Sequence, residues 1–492
     1  MTGGLLQLVA NGIEDIFLIN NPEITFFKVV YRRHTNFSTE VIPQYFKHKP
    51  DFGKRISCIL SKNGDLIRKM HLVIALPSIP VFKDDNGCID PLLKFAWTRR
   101  IGYVIIKRVE IEIGGQIVDC QYGEWLNIWY ELTVPKNKTL NKIIGDIKEL
   151  TDYSNGKKGY KLFIPLQFWF NRNTGLSLPL VALNSNEVKI NLELNDLEKC
   201  FILAPSHYML LDNNIVNFEP FEYICQANDT GLAQAQFVHF DFISKYLYYL
   251  KLSKTGFKCV EEHNIPICGK NSKFEAQPAK KSVERIYKVR THKFKNISLK
   301  DCFLLVEYIF LDTEERLKFS QSSHEYLIEQ LLYSGEIVLE SMHRTFDLGF
   351  NHPCKELFWV VQSGCSEQNN DHFNYSDNND CLKGESLIEK ETILFDNLER
   401  LSFRDSAYFN YIQPLENHSN TPSVGINCYS FALHAEKHQP SGSANLSKMQ
   451  NISIKITAKN SINNQNTAKF RAYGLVLNIL RIATGMSGLL FK

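Results

Sequence analysis

Val188-Lys-Ile-Asn-Leu-Glu-Leu194 alternates apolar and polar residues without a break, so Val188, Ile190, Leu192 and Leu194 share one strand face and Lys189, Asn191 and Glu193 the other. Arg108-Val-Glu-Ile-Glu-Ile113 and Ile452-Ser-Ile-Lys-Ile456 repeat the pattern, each a half-buried strand with one wet face, as antiparallel sheets commonly have. Met70–Leu76, Cys302–Leu311 and Leu475–Leu480 are more uniformly apolar and predict central strands of a sandwich. Helical spacing is rarer. It appears in Trp125, Ile128, Trp129 and Leu132, and again in Leu140, Ile143, Ile144 and Ile147. Asp312-Thr-Glu-Glu-Arg-Leu-Lys-Phe319 reads as a polar helix. Ser322-Ser-His-Glu325 has the spacing of a capping box and predicts a second helix over Tyr326–Leu332, stopped by Ser334-Gly335. Together these two segments predict a helical connector between two β-rich halves.

Two long stretches read as surface. Residues 363–385 hold almost nothing that fills a core, and the stretch from about 254 to 285 is Lys-rich. Many short strands, few helices, long excursions and no short-period repeat predict an all-β chain of jelly-roll-like sandwiches. A length of 492 residues allows two large domains or three small ones. With 44% apolar residues and 56 Lys+Arg against 53 Asp+Glu, the net charge is +3. Such a balance argues against a disordered chain and against a binder driven by phosphate neutralisation. No run reaches the roughly 18 apolar residues of a membrane span, and the first residues lack the pattern of a secretory signal. Twelve cysteines without a C-x-x-C pair predict free thiols in a reducing compartment. There the sequons at Asn36, Asn137, Asn228, Asn296, Asn374, Asn417, Asn445 and Asn451 would stay unused.

Catalytic motifs are missing. Gly269-Lys270 lacks the upstream glycine and following hydroxyl of a phosphate loop, and His324-Glu325 is followed by Ile328 where a zinc-protease helix needs its second His. Asp84-Asp85 and Glu314-Glu315 read as solvated charge, because a working carboxylate needs burial or a partner. His434 and His438 stand four apart without an evident third ligand. Arg32-Arg33-His34 and Arg99-Arg100 fit either strand-edge ion pairs or a partner subunit. Aromatic residues, 12% of the chain, fit thick cores with some surplus for subunit contacts. No catalytic, cofactor-binding or metal-ligating residue is assigned, and no enzymatic activity is expected.

Several blocks carry a family resemblance. Gly3-Gly-Leu-Leu-Gln-Leu-Val-Ala-Asn-Gly12 and Asn21-Pro-Glu-Ile-Thr-Phe-Phe-Lys-Val-Val-Tyr-Arg-Arg-His-Thr-Asn-Phe37 resemble the opening of the major capsid proteins of nucleocytoplasmic large DNA viruses. Val109-Glu-Ile-Glu-Ile-Gly-Gly-Gln116, Gln121-Tyr-Gly-Glu-Trp125, Leu178-Pro-Leu-Val-Ala-Leu183 and Glu187-Val-Lys189 are similar to later blocks of that family. So are Tyr308-Ile-Phe-Leu-Asp-Thr-Glu-Glu-Arg316, Ser323-His-Glu-Tyr-Leu-Ile-Glu-Gln330, Phe350-Asn-His-Pro353, Tyr429-Ser-Phe-Ala-Leu-His434, Gln439-Pro-Ser-Gly442 and Leu480-Arg-Ile-Ala-Thr-Gly-Met486. The blocks keep family order from residue 3 to residue 486. The chain departs from the family in its ending, Gly488-Leu-Leu-Phe-Lys492, and in having Ala435 before Glu436.

The resemblance implies a double jelly roll: two eight-stranded antiparallel β-sandwiches side by side, with short helices and long surface loops. It implies an N-terminal arm over 1–21 and a first jelly roll over 22–312 with an enlarged insertion at about 196–300. A helical connector over 313–325 and a second jelly roll over 326–492 follow. The implied role is a major capsid protein whose homotrimers form pseudo-hexagonal capsomers in the icosahedral shell of a large double-stranded DNA virus, assembled in the host cytoplasm. A scaffold or minor capsid paralogue of the same fold is the alternative, and a carbohydrate-binding jelly roll working through 363–385 is a third reading. Expected partners are further copies of the chain, neighbouring capsomers and minor capsid proteins, with no direct nucleic-acid contact and no cofactor. Leu6, Val9, Ile13, Ile16 and Phe17 recur at roughly helical spacing. They fit either a helix packed on its own domain or an arm beneath the capsomer near the inner viral membrane. The insertion is expected to form an outer tower together with 363–385.

Overall fold

Val188–Leu194 is a strand whose residues are alternately buried and half-buried, as the alternation requires. It pairs antiparallel with Arg55–Ile59 on one side and Ile106–Ile113 on the other. The structure, a computed structural model, describes residues 3–10, 12, 21, 34–83, 87–90, 92–229, 231–259, 265–287, 297–380 and 383–491. In chain order, eight strands make the first sandwich: Phe37–Tyr45, Arg55–Ile59, Leu66–Leu76, Ile106–Ile113, Gln116–Gln121, Tyr160–Pro165, Val188–Leu194 and Asp301–Leu311. One sheet runs first, eighth, third, sixth; the other runs second, seventh, fourth, fifth. The second sandwich repeats both orders with His324–Leu339, His343–Asp347, Pro353–Ser363, Ile388–Phe395, Leu398–Asp405, Ile426–Ser430, Ile452–Ala458 and Ala468–Ala483. The same two sheets wound the same way twice make a double jelly roll.

Because successive strands reverse direction, the third-to-fourth, fifth-to-sixth and seventh-to-eighth connections of each sandwich leave at one end. At that end the first sandwich carries a seven-stranded sheet built within residues 207–286. This sheet closes over its own core, with Met209, Ile224, Leu247, Tyr249, Phe257 and Ile267 buried. The Lys-rich stretch 254–285 therefore contributes core residues and is not simply surface. The helix Thr313–Gln321 lies at the opposite end, begun by Asp312, whose side chain accepts from the Glu315 N–H at 2.9 Å.

Two other expectations meet the structure differently. The apolar run 140–147 forms two short helices, Asn141–Ile144 and Lys148–Thr151, because Gly145 between them takes φ +82°, which ends a helix. The predicted helix over Tyr326–Leu332 is instead part of the strand His324–Leu339, paired with Ala468–Ala483 almost throughout. Glu325 caps nothing and faces Arg481 across the strands, 2.8 Å away. In the arm, Gly3–Val9 is helical, while Ile13, Ile16 and Phe17 lie outside the described residues, as do Arg32, Arg33, Asp84 and Asp85. Among the described residues no helix is long and apolar enough to cross a membrane.

Candidate functional site

The seam between the two sandwiches is the most heavily built region of the molecule. Its centre is the helix Gly123–Thr133, which connects the fifth and sixth strands of the first sandwich and is buried nearly all round. The helix starts against backbone: a Cβ at Gly123 would come within 2.0 Å of the Tyr103 carbonyl oxygen, so no side chain fits there. Ile128 and Leu132 complete the first core. Trp125 turns toward the second sandwich and meets Phe358 edge-on at 5.0 Å and Tyr473 at 5.9 Å between ring centroids.

That contact explains the strands that lack polar alternation. In Pro353–Ser363, Leu357, Trp359 and Val361 face the second sandwich's interior, while Phe358 and Val360 join the core of the first. In Ala468–Ala483, Phe470, Ala472 and Val476 face inward, and Tyr473, Leu475 and Leu480 face the seam. A sheet buried on both faces has no wet face to mark.

Polar groups in the seam are paired across it. Glu124 accepts from the hydroxyls of Tyr473 at 2.7 Å and Tyr375 at 3.0 Å and lies 2.8 Å from Arg471. Burial opposes the Arg471 charge, but Glu124 and its neighbours hold the guanidinium protonated. Glu329 pairs with Arg172 at 2.9 Å and Lys355 at 2.6 Å. The Leu331 N–H donates to Asp119 at 2.9 Å, and burial pushes that carboxyl up to about 6. The second sandwich also finishes the first one's helix. The Asn420 N–H donates to the Leu132 carbonyl at 3.0 Å and the Ser423 N–H to the Glu131 carboxylate at 2.7 Å.

Arg99 and Arg100 belong to this seam. Arg99 donates to the Phe373 carbonyl at 3.2 Å, and Arg100 pairs with Glu131 and with Asp146 inside the chain. The 363–385 stretch is a strap and not a free crown. Phe373 and Tyr375 are buried, Asn370 donates to the Phe201 carbonyl at 2.9 Å, and Asn369 donates to the Leu252 carbonyl at 2.9 Å in the insertion. Asn374 is fully buried with its amide donating to Asp371, so the folded chain offers no room for a glycan there. His434 and His438 are not joined; the latter stands near Glu329 and Lys355. Among the described residues, the side chains whose arrangement fits a metal are Glu356, His418 and Cys428, with donor atoms within 4.8 Å of one another. Sequence reasoning missed them because 62 and 10 positions separate them and no motif spans that interval.

Exposed apolar residues line an outer edge. Phe37, Val41 and Tyr45, four apart on the edge strand Phe37–Tyr45, are 58%, 57% and 65% exposed. Among the described residues, that strand is paired on one side only, by Asp301–Leu311.

Residues 25–239 match the family described as major capsid protein N-terminus, and residues 315–488 match large eukaryotic DNA virus major capsid protein. Probable capsid protein 4 of Acanthamoeba polyphaga mimivirus is 41% identical over 522 residues, covering all of this chain and 99% of its own. The chain belongs to the major capsid proteins of large eukaryotic DNA viruses. The major capsid protein of Phaeocystis pouchetii virus is 31% identical over 601 residues, with both chains fully covered. The fold is shared with the Faustovirus major capsid protein, TM-score 0.66 at 12% identity over 96% of this chain and 94% of that one. It is shared equally with the PBCV-1 virus capsid, TM-score 0.63 at 22% identity over 95% and 100%. Members of this capsid family are structural components of the virion and not enzymes, so the seam is architecture and not an active centre.

Proposed function

We propose that three copies of this chain associate into a pseudo-hexagonal capsomer and that such capsomers tile an icosahedral shell. The observation carrying the proposal is the repeated strand order in two sandwiches, the core of the first extending across the seam to the facing sheet of the second. A rigid pair of like-shaped units gives a three-fold assembly six similar sides, which pack hexagonally. The exposed apolar residues Phe37, Val41 and Tyr45 support a lateral contact, since apolar surface left in solvent invites association. Obligate contacts of this kind bury about 2,000 Å² or more.

In this reading the first jelly roll spans 22–312, the connector 313–325 and the second 326–492, with the arm 1–21 beneath the capsomer. There the arm meets minor capsid proteins or the inner membrane, and the insertion faces outward from the other end. Assembly takes place in the host cytoplasm, and the chain makes no direct contact with the genome. A minor-paralogue reading has one observation in its favour: the 41% identical relative is a capsid protein numbered 4, from a virus that also has a capsid protein 1. Quantitative mass spectrometry of purified particles separates the readings. The major-capsid role predicts this chain as the most abundant shell protein, and a trace amount or none contradicts it.

A further inference from the structure

Where residues 406–425 return to the seam, three side chains of different chemistry converge. Glu356 and Cys428 lie on adjacent antiparallel strands, in which Phe358 stands opposite Cys428 and Glu356 opposite Ser430, so the two are diagonal neighbours. His418 follows the short helix Gln413–Asn417, and its side chain is fully covered. Its Nε2 is 2.6 Å from Glu356 Oε1, and its Nδ1 is 3.2 Å from Glu436 Oε1. The Cys428 sulfur lies within 4.8 Å of both the ring nitrogen and the carboxylate.

An ion pair alone leaves this cluster incomplete. Glu356 Oε2 is buried without a hydrogen-bond partner, which costs free energy in a low-dielectric interior. Cys428 is fully buried, and its sulfur supplies a soft donor beside the imidazole and the carboxylate. One carboxylate, one imidazole and one thiol within 4.8 Å form a donor set suited to a borderline-soft divalent ion.

We propose that Glu356, His418 and Cys428 bind a structural zinc ion. Glu436 keeps the Nδ1 proton and so turns the Nε2 lone pair toward the metal, the second-shell arrangement common for metal-bound histidine. Binding releases the thiol proton and the Nε2 proton to solvent as Zn–S, Zn–N and Zn–O bonds form. The ion would staple residues 406–425 to the second sandwich beside the seam helix, since the His418 ring lies 6.4 Å from that of Trp129. The proposal departs from the expectation, drawn from the sequence, of no metal ligands.

The test uses the full chain purified without chelators from zinc-supplemented and from cobalt-supplemented cultures. Elemental analysis is expected to find about one metal per chain, and the cobalt protein to show thiolate-to-cobalt absorption in the near ultraviolet. Cys428→Ser and Glu356→Gln, checked for native far-ultraviolet circular dichroism, are expected to lose that band and most of the metal. Wild-type protein with metal at the buffer-blank level overturns the site, leaving His418 as an imidazolium between two carboxylates. A folded Cys428→Ser protein that keeps its metal overturns it too. Should the variants fail to fold, the wild-type cobalt spectrum alone decides whether a thiolate is bound.

Discussion

Arg471 is buried with its guanidinium 2.8 Å from Glu124 and 3.1 Å from Glu336, and its Nη2 donates to Gln362 at 2.6 Å. Removing one member of such a set strands the other charge in the interior, which costs about 3–5 kcal/mol. Arg471→Met is expected to lower stability by that amount. Adding Glu124→Gln should recover a large part, because it removes the stranded charge while the amide oxygen accepts from one tyrosine hydroxyl and the amide NH2 donates to the other. Thermal midpoints of the two single variants and the double variant measure the coupling, and simple additivity contradicts it. Glu391 behaves in the opposite sense. It is fully buried beneath Trp359, whose indole N–H donates to it, and burial pushes its carboxyl from 4.5 up to about 8. The folded chain therefore holds a proton that the unfolded chain loses above about 4.5. Its contribution to stability is full below that value and falls away as pH rises toward 8. Glu391→Gln is expected to flatten the decline in thermal midpoint between pH 5 and 8 and to add about 2–3 kcal/mol near neutrality. Parallel curves for the variant and the wild type contradict this.

The strand Val188–Leu194 was legible from sequence, because its alternation is a local property of the chain, whereas in Ile452–Ala458 the polar Ser453 is buried and only Lys455 keeps the expected wet position. Elements decided by distant partners were not. Tyr326–Leu332 is apolar enough for either period, and pairing with Ala468–Ala483 decides for strand. Polar 363–385 conceals Phe373 and Tyr375, whose places are set by Arg99 and Glu124, more than 200 positions away. Leu475–Leu480 was correctly read as part of a central strand, Pro353–Ser363 was not read as a strand at all, and nothing local shows that the second face of either meets another sandwich. The insertion was legible only through the family resemblance, and its independence is testable. Its core is separate from the sandwich cores, and the Tyr287 N–H donates to the Ser206 carbonyl at 2.8 Å, so its two ends already meet. Excising residues 207–286 with a short Gly-Ser bridge is expected to leave a cooperative melt and a β-rich circular dichroism spectrum. A chain that no longer melts cooperatively contradicts that independence.

At the scale of the whole molecule, the seam makes two sandwiches into one body. Tryptophans, paired charges and a shared helix cap hold them at a fixed spacing, and that spacing is what lets a three-fold assembly present six comparable sides. A near-zero net charge of +3 suits subunits that crowd edge to edge, since self-repulsion is small. The direct test is native mass spectrometry of the purified full chain at near-physiological ionic strength. The account predicts a stable species at three times the 56.8 kDa chain mass, persisting on dilution. A monodisperse monomer under those conditions would contradict it.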